Sequence, residues 1–238
     1  MFELNIQKNW IDALYARSSV RQYTSAPDKA QLDKLGETCR KLSWQGVKIR
    51  MFKGPGLKSQ IKGTDVYAVI IAKRGTPMEV EGFMGEALVL EATAMGLGTC
   101  WLGAGFYPDI INRNVDLQTD EAVHCVISIG KANLPAFAPK RKELEKVCGM
   151  NEEQLAQLGA WQKEAGLAAR LAPSGINQQP WKIAADKTSV SILETTVLYK
   201  KYAPLDRGIC MLHAAVGAAK AGRTAIWKKV DGGYAMKA

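Results

Sequence analysis

The chain carries few of the side chains that enzymes use for acid–base or metal chemistry. Two histidines occur among 238 residues, His124 in a strand-like run and His213 in an apolar helix-like run. The five cysteines are odd in number and form no C-x-x-C pair, so we interpret them as reduced thiols. These observations argue against most zinc sites and against histidine-dependent catalytic triads. We therefore expect no protein-bound metal and predict that a bound organic cofactor carries the chemistry.

The charge of the chain narrows the choice of ligand. The formal net charge is +9, and it divides into +7 for residues 1–62, −3 for residues 63–150 and +5 for residues 151–238. The sequence shows no zinc-finger spacing, no RNA-binding aromatic signature and no basic block longer than Lys140–Lys142. A basic field of this kind also attracts small phosphate-bearing molecules, which we favour over nucleic acid as the ligand.

The apolar pattern predicts a globular cytoplasmic protein. The longest clean apolar run, Val66–Ala72, is far shorter than the roughly 20 residues of a membrane span. The segment Met1–Ile6 lacks the basic and apolar regions of a secretory signal. A chain of this length can bury a sizeable core without a disulfide or metal.

Periodicity and capping residues place the elements that must position any site. Ser25 is the expected N-cap of the helix near residues 27–42, and Asn151 is the expected N-cap of the helix near residues 151–171. Helices are predicted near residues 8–15, 27–42, 82–97, 109–114, 151–171 and 205–221. Strands are predicted near residues 47–52, 66–72, 99–102, 122–129, 181–185 and 190–193, with further strand character near Ile226 and Tyr234.

Two buried helices resemble each other within the chain. Gly85–Ala92 aligns with Gly208–Ala215, and each is followed by a Gly, a Thr and a Trp. The match predicts an α+β unit that occurs twice, with residues 1–150 as one half and residues 151–238 as the other. Two unrelated buried helices that both use small residues are the alternative.

Two polar segments carry a family resemblance. Ala16–Tyr23 reads ARSSVRQY and Ala172–Trp181 reads APSGINQQPW. They resemble the flavin-binding signatures R-S-x-R-x-F/Y and A-P-S-x-x-N-x-Q-P-W of the nitroreductase family. Similar stretches are GLGTCW at 96–101, GAGF at 103–106, ISIG at 127–130 and RKELE at 141–145. The resemblance covers most of the chain and implies a nitroreductase-like α+β fold that binds flavin mononucleotide (FMN).

The resemblance assigns the basic and hydroxyl residues to the charged parts of FMN. Arg17 and Arg141, with Lys140 beside them, are expected to hold the phosphate through charge-assisted hydrogen bonds. The hydroxyls of Ser18 and Ser19 are expected to assist them. Arg21 is the expected cation beside the edge of the flavin ring that gains negative charge on reduction.

The remaining predicted contacts surround the flavin ring. Pro173 and Ser174 are expected along the ring, Asn177 at its polar edge, and Gln179 or Trp181 at the close of the pocket; Trp181 as a core residue is the alternative. Gly103 and Gly105 would allow the backbone to approach the flavin closely. Ala104 stands where the family often has Glu, which leaves a nicotinamide-positioning role there without its usual residue.

The order of the motifs departs from the typical family member, which is a homodimer with an FMN at each of two interfaces. Here the second helix leads into Ser43–Ile49 without a Pro-Ser-x-x-Asn segment, and that segment follows only after Leu171. The second half has no Arg-Ser-x-x-Arg counterpart. The resemblance therefore implies a single-chain pseudo-dimer with one complete FMN site and a non-functional mirror site, as a monomer or weak homo-oligomer.

The resulting functional prediction is an FMN-dependent oxidoreductase. It would pass hydride from NADH or NADPH, through the flavin, to a nitroaromatic, a quinone or a similar small organic acceptor. No side-chain acid or base is required, so no catalytic residue is predicted. The alternative is a nitroreductase-like protein that binds a flavin or nucleotide without turnover.

Overall fold

The structure is a computed structural model that describes residues 4–44, 46–134, 140–224 and 226–237. Its α-helices are α1 Asn9–Ala16, α2 Lys29–Leu42, α3 Met78–Ala94, α4 Pro108–Asn114, α5 Leu144–Cys148, α6 Glu152–Leu158, α7 Ala160–Arg170 and α8 Ala203–Lys220. Its strands are β1 Val47–Lys53, β2 Val66–Lys73, β3 Gly98–Leu102, β4 Glu121–Gly130, β5 Trp181–Ala185, β6 Ser189–Glu194, β7 Ile226–Val230 and β8 Gly233–Lys237.

The chain divides into two compact units, each assembled from separated segments. The unit that carries the N-terminus contains Met1–Tyr15, Met78–Phe83 and Pro139–Ala238. We call it the outer-segment unit. The other, which we call the inner-segment unit, contains Ala16–Pro77 and Met84–Ala138.

The inner-segment unit is built on an antiparallel sheet of order β1-β2-β4-β3. Strand β2 is central and buried from Val66 to Ala72, as its continuous apolar run predicts. Gly85 on α3 allows the helix to lie close to this sheet, because a Cβ there would lie 2.3 Å from Trp101 Cη2. The apolar side chains of strands and loops form one buried cluster that includes Tyr67, Val69 and Phe106.

The outer-segment unit contains a second antiparallel sheet, of order β5-β6-β8-β7. Helix α8 packs against α7 and β6 in this unit. It is buried over most of its length, which agrees with its nearly continuous small and apolar sequence.

The two sheets share one plan. In each, a helix joins the second and third strands, α3 in the first sheet and α8 in the second, and the fourth strand is inserted between the second and third. Helices α3 and α8 are the two that the internal sequence match pairs. The structure thus confirms the predicted α+β fold of mixed helices and antiparallel sheets in two related halves.

Three details differ from the prediction. The helix predicted over residues 151–171 is divided into α6 and α7 at Gly159, whose φ of 156° is outside the helical range. Helix α2 is capped by Asp28 rather than Ser25, since Asp28 and Gln31 form a reciprocal capping box. The short helix α5 has no apolar period long enough to be recognised in the sequence.

The start of α3 and the start of α8 approach each other at glycines within the outer-segment unit. A Cβ on Gly82 would lie 2.0 Å from the carbonyl oxygen of Leu205, and one on Gly208 would lie 2.0 Å from that of Glu79. Only a residue without a side chain permits such backbone contact.

None of the described helices combines the length and apolarity needed to cross a membrane.

Candidate functional site

The Arg-Ser segment follows α1 and is anchored beside strand β3 in the inner-segment unit. Val20 N donates to Thr99 O at 2.8 Å, and Ser19 forms an isolated parallel bridge with Thr99. Tyr23 fixes the far end of the segment, because its hydroxyl donates to Val20 O at 2.8 Å. The segment is therefore held on a rigid strand although it has no regular structure of its own.

Arg17 is buried and faces a carboxylate. Its Nε lies 4.0 Å from Glu86 Oε1, and the side chains are 4% and 0% exposed. Glu86 also accepts a hydrogen bond of 2.7 Å from Trp101 Nε1. Burial lowers the pKa of Arg17, and the negative charge of Glu86 opposes this shift. Glu86 therefore holds the Arg17 guanidinium within the segment and offsets much of the positive charge of Arg17.

The other predicted residues of this segment differ in exposure. Ser18 is 6% exposed, and its hydroxyl has no hydrogen-bond partner among the described residues. Ser19 accepts a hydrogen bond of 3.3 Å from Arg17 Nη2. Arg21 is exposed, and its positive charge, more than that of Arg17, opposes the rise in the Cys100 pKa that burial causes.

The two predicted glycines lie just after β3. Gly103 is half-buried and Gly105 is buried. A Cβ on Gly105 would lie 2.7 Å from Gln60 Nε2 and 2.8 Å from Leu102 Cδ2. The close approach that Gly105 permits is therefore to neighbouring side chains of its own unit.

The Pro-Ser-x-x-Asn segment in the outer-segment unit has an unusual backbone. Ile176, Asn177 and Gln179 all have positive φ, at 48°, 57° and 48°. The left-handed region is unfavourable for non-glycine residues, above all for a β-branched one such as Ile176. Such conformations cost about 1–3 kcal/mol each and persist where surrounding contacts fix them. Strain of this kind marks a candidate functional segment.

Hydrogen bonds at both ends hold the strained turn. Ser174 Oγ accepts from Gln179 N at 2.8 Å, which closes the turn on itself. Gly175 N donates to both carboxylate oxygens of Asp206, on α8, at 3.1 Å each. Pro173, at the beginning of the segment, is buried.

The closing basic segment lies directly against this turn in the same unit. Arg141 Nη1 donates to Asn177 Oδ1, and Asn177 Nδ2 donates to Lys140 O at 3.0 Å. Lys142 Nζ donates to Gln178 O at 2.6 Å. Lys140 itself points outward, 84% exposed, and pairs with Glu143 at 2.9 Å.

Gln179 and Trp181 are interior residues. Gln179 is 0% exposed; its Oε1 accepts from Lys142 N at 2.7 Å and its Nε2 donates to Arg170 O at 3.2 Å. Trp181 begins β5 and is 2% exposed. Both side chains therefore support the segment from within.

The predicted residues thus form two groups, one in each unit. The first comprises Arg17, Ser18, Ser19, Arg21, Gly103 and Gly105, and the second comprises Lys140, Arg141, Pro173, Ser174, Asn177 and Gln179.

Sequence reasoning missed the two carboxylates that hold these groups, Glu86 and Asp206. A charged residue inside an otherwise apolar helix was the available signal for both, because a buried carboxylate requires a partner. His213 is fully buried on α8, and none of the five cysteines forms a disulfide. Among the described residues, no group of His, Cys, Asp and Glu could hold a metal ion.

Comparisons with known proteins find one family model and several similar structures. Residues 9–218 match the family described as "Putative TM nitroreductase". A structure described as a putative nitroreductase from Thermotoga maritima has 23% identity and a TM-score of 0.71, with 100% of this chain and 97% of that chain covered. A nitroreductase with bound FMN from Desulfitobacterium hafniense has 14% identity and a TM-score of 0.48, with 60% and 98% covered. A search of curated proteins finds no match.

The chain belongs to this nitroreductase family, because the match spans most of its length. The family places it among the oxidoreductases.

Proposed function

We propose that the protein is an FMN-dependent oxidoreductase that takes hydride from NADH or NADPH and reduces a flat organic acceptor such as a nitroaromatic or a quinone. Family membership supports the class of enzyme. The observation that carries the cofactor assignment is the Arg-Ser segment, where a buried hydroxyl without a hydrogen-bond partner lies beside a buried guanidinium.

The Arg-Ser segment fits the phosphate of FMN. Both Ser18 Oγ and Arg17 Nε are buried without a hydrogen-bond partner among the described residues. Buried donors are rarely left in this state, and phosphate oxygens would satisfy them. We propose that Arg17, Ser18 and Ser19 hold the phosphate and that Glu86 stabilises the buried Arg17 while partly offsetting its positive charge.

Arg21 is our candidate for the cation that stabilises the reduced flavin ring. It is exposed and has no ion pair with a carboxylate among the residues described. Its charge is therefore less offset than that of Arg17, which faces Glu86. We propose that Arg21 stabilises the negative charge that reduction places on the flavin.

We further propose that the second group of residues takes part in FMN binding. Arg141 and Asn177 would act as a hydrogen-bonded pair, with Pro173 and Ser174 along the ring and Lys140 as a peripheral cation. Gln179 would act indirectly, because both ends of its amide are bonded to backbone. Gly103 and Gly105 would shape the loop after β3 in the first group.

When bound, FMN supplies the redox chemistry by accepting a hydride and passing two electrons to the acceptor. The protein residues bind the phosphate, orient the ring and fix a positive charge near it. None of them is required to exchange a proton with the substrate, so no catalytic residue is proposed.

We propose one FMN for each chain, in a single-chain pseudo-dimer. The shared sheet order supports the duplication. The Arg-Ser segment precedes α2 in the first half, whereas the segment before α7 in the second half contains no arginine. The stretch between α2 and β1 lacks the Pro-Ser-x-x-Asn motif. We also propose that the protein is cytoplasmic and is a monomer or weak homo-oligomer.

Flavin titration of the purified chain tests the proposal. We expect binding of one FMN per chain, followed by NADH or NADPH oxidation when menadione or a nitrofuran is added. Arg17→Ala should weaken FMN binding, while Arg74→Ala, in the turn after β2, should leave it unchanged. A protein that takes up no FMN would contradict the proposal. FMN binding without oxidation of either nucleotide would instead establish a binding protein without turnover.

A further inference from the structure

Asp206 is a buried carboxylate that holds the exposed start of the Pro-Ser-x-x-Asn turn. One backbone N–H, that of Gly175, lies 3.1 Å from both Asp206 Oδ1 and Oδ2. Asp206 is 4% exposed, whereas Gly175 is exposed. The carboxylate therefore reaches from the interior of the unit to the backbone of a surface turn.

The turn held by Asp206 is the strained part of the segment. Ile176 and Asn177, both with positive φ, directly follow Gly175. The contacts from Arg141 and Lys142 act at residues 177–179, at the other end of the turn. Asp206 therefore holds the N-terminal end of the turn, which the Arg141 and Lys142 contacts do not reach. A left-handed backbone persists only where its surroundings determine it.

No cation among the described residues of the outer-segment unit forms an ion pair with the Asp206 carboxylate. Its neighbour Arg207 directs its guanidinium to Glu79 at 2.7 Å and to Glu194 at 3.8 Å. Cys210, one turn further along α8, is fully buried, and the Asp206 charge adds to the rise in its thiol pKa.

The described cations on the elements packed around the turn donate to other groups. From α7, Arg170 donates to Lys142 O, and from the closing segment Arg141 and Lys142 bond to the far end of the turn. Burial consequently raises the pKa of Asp206 to about 7, and the hydrogen bond from Gly175 opposes the rise. Ionisation of this carboxyl thus falls in the neutral pH range.

We propose that Asp206 is a positioning residue whose ionised carboxylate holds Gly175, sets the backbone that presents Asn177, and thereby links FMN affinity to pH. The inference rests on the proposed function and adds a proton-linked control to the same site. An ionised carboxylate accepts an N–H bond more strongly than a neutral acid does. FMN binding should therefore strengthen as the pH rises through the neutral range.

The isosteric Asp206→Asn variant tests this link. At pH 8 we expect the variant to bind FMN about tenfold more weakly than the wild type, and at pH 6 we expect nearly equal affinities. The FMN phosphate itself titrates at about pH 6 whichever protein is present. Comparison of the variant with the wild type at each pH therefore removes the effect of phosphate ionisation. Asp186→Asn is the matched control, because Asp186 also accepts backbone N–H bonds, from Thr188 and Ser189, in the turn between β5 and β6.

Hydrogen exchange of the flavin-free protein gives a second readout that needs no ligand. At pH 8, peptides covering residues 174–178 should exchange faster in Asp206→Asn than in the wild type, with no change in Asp186→Asn. Wild-type protein that binds no FMN would overturn the proposed function, while exchange would still decide whether Asp206 holds the turn.

Two results would overturn the inference itself. One is unchanged exchange of residues 174–178 in Asp206→Asn. The other is an equal loss of FMN affinity at pH 6 and pH 8, because a merely structural defect does not depend on ionisation.

Discussion

Arg141 donates from Nη1 to Asn177 Oδ1 and so joins two segments that lie 36 residues apart in the sequence. Each partner has a further anchor, since Arg141 Nε donates to Leu171 O at 3.2 Å and Asn177 Nδ2 donates to Lys140 O at 3.0 Å. The two side chains are fixed without a ligand. Preorganisation of this kind lowers the entropy that binding would otherwise cost.

Because they are bonded to each other, Arg141 and Asn177 should behave as one unit in FMN binding. We expect Arg141→Ala and Asn177→Ala each to weaken binding by about tenfold, and the double variant to lose little more than either single one. Flavin fluorescence titration of the four proteins measures this. Lys229→Ala, which removes an exposed cation on β7 outside the proposed site, is the control and should change the affinity by less than about twofold. Additive losses would contradict the coupling.

Glu86 should stabilise the fold at the expense of phosphate affinity. In Glu86→Gln the amide still accepts from Trp101, but Arg17 loses its buried counter-charge. Breaking a buried pair costs about 3 kcal/mol, which urea denaturation of the flavin-free protein would measure. In the protein that remains folded, FMN should bind several-fold more tightly, because a negative charge near its phosphate is removed.

Glu37→Gln, on α2 of the same unit, is the control for Glu86. Glu37 is exposed, so its replacement should cost less than about 1 kcal/mol. Equal effects of the two substitutions on stability, or weaker FMN binding by Glu86→Gln, would argue against the role assigned to the pair of Arg17 and Glu86.

Arg21→Gln should lower the reduction potential of bound FMN. The exposed cation is proposed to favour the reduced, negatively charged ring, and loss of about 1.4 kcal/mol of that preference corresponds to about 30 mV for a two-electron couple. Spectroelectrochemical titration with a reference dye measures the shift. Arg113→Gln on α4 removes another exposed charge of the same unit and should leave the potential unchanged. An unaltered potential in Arg21→Gln would remove Arg21 from the proposed site.

The raised pKa of Asp206 also has a consequence for stability. The folded chain raises this pKa from 3.8 to about 7, so the native state binds the proton more tightly than the unfolded state. Stability from Asp206 is therefore complete below about pH 4 and is lost as the pH rises to about 7, by up to roughly 4 kcal/mol. The urea midpoint of unfolding should decrease more between pH 5 and pH 8 in the wild type than in Asp206→Asn. Parallel pH profiles for the two proteins would contradict this assignment.

Much of the fold could be predicted because its pattern is strong. The apolar run from Val66 to Ala72 identified the central strand, and the match between two buried helices predicted the two related halves. The division between α6 and α7 was missed because Gly159 falls within a helical pattern, and a single glycine costs a helix only about 1 kcal/mol. Its φ of 156° lies outside the helical range, and a residue pattern does not show the φ that a glycine adopts.

For the candidate site, the sequence motifs identify candidate segments, whereas the contacts that hold those segments are visible only in the structure. Arg17 and Asn177 were recognised from motifs, yet Glu86 and Asp206, which hold them or their backbone, lie at distant positions in apolar helices. Gln179 was one of two residues predicted to close the flavin pocket. In the structure its side chain is buried and hydrogen-bonds to the backbone of Lys142 and Arg170. Such roles depend on long-range contacts, and spacing along one chain does not encode them.

Close packing at Gly82 should make it one of the least replaceable residues of the chain. A Cβ there would lie 2.0 Å from Leu205 O, a backbone atom that cannot move aside without displacing α8. We expect Gly82→Ala to lower the free energy of unfolding by about 3 kcal/mol, since overpacking a core typically costs 1–3 kcal/mol or more. Gly36→Ala on α2 is the control, because its nearest neighbour is Arg40 Nη1 at 3.8 Å and the helix propensity of alanine should raise stability by about 1 kcal/mol. Chemical denaturation of both variants measures the contrast, and a stable Gly82→Ala protein would show that α3 and α8 do not meet as closely as described.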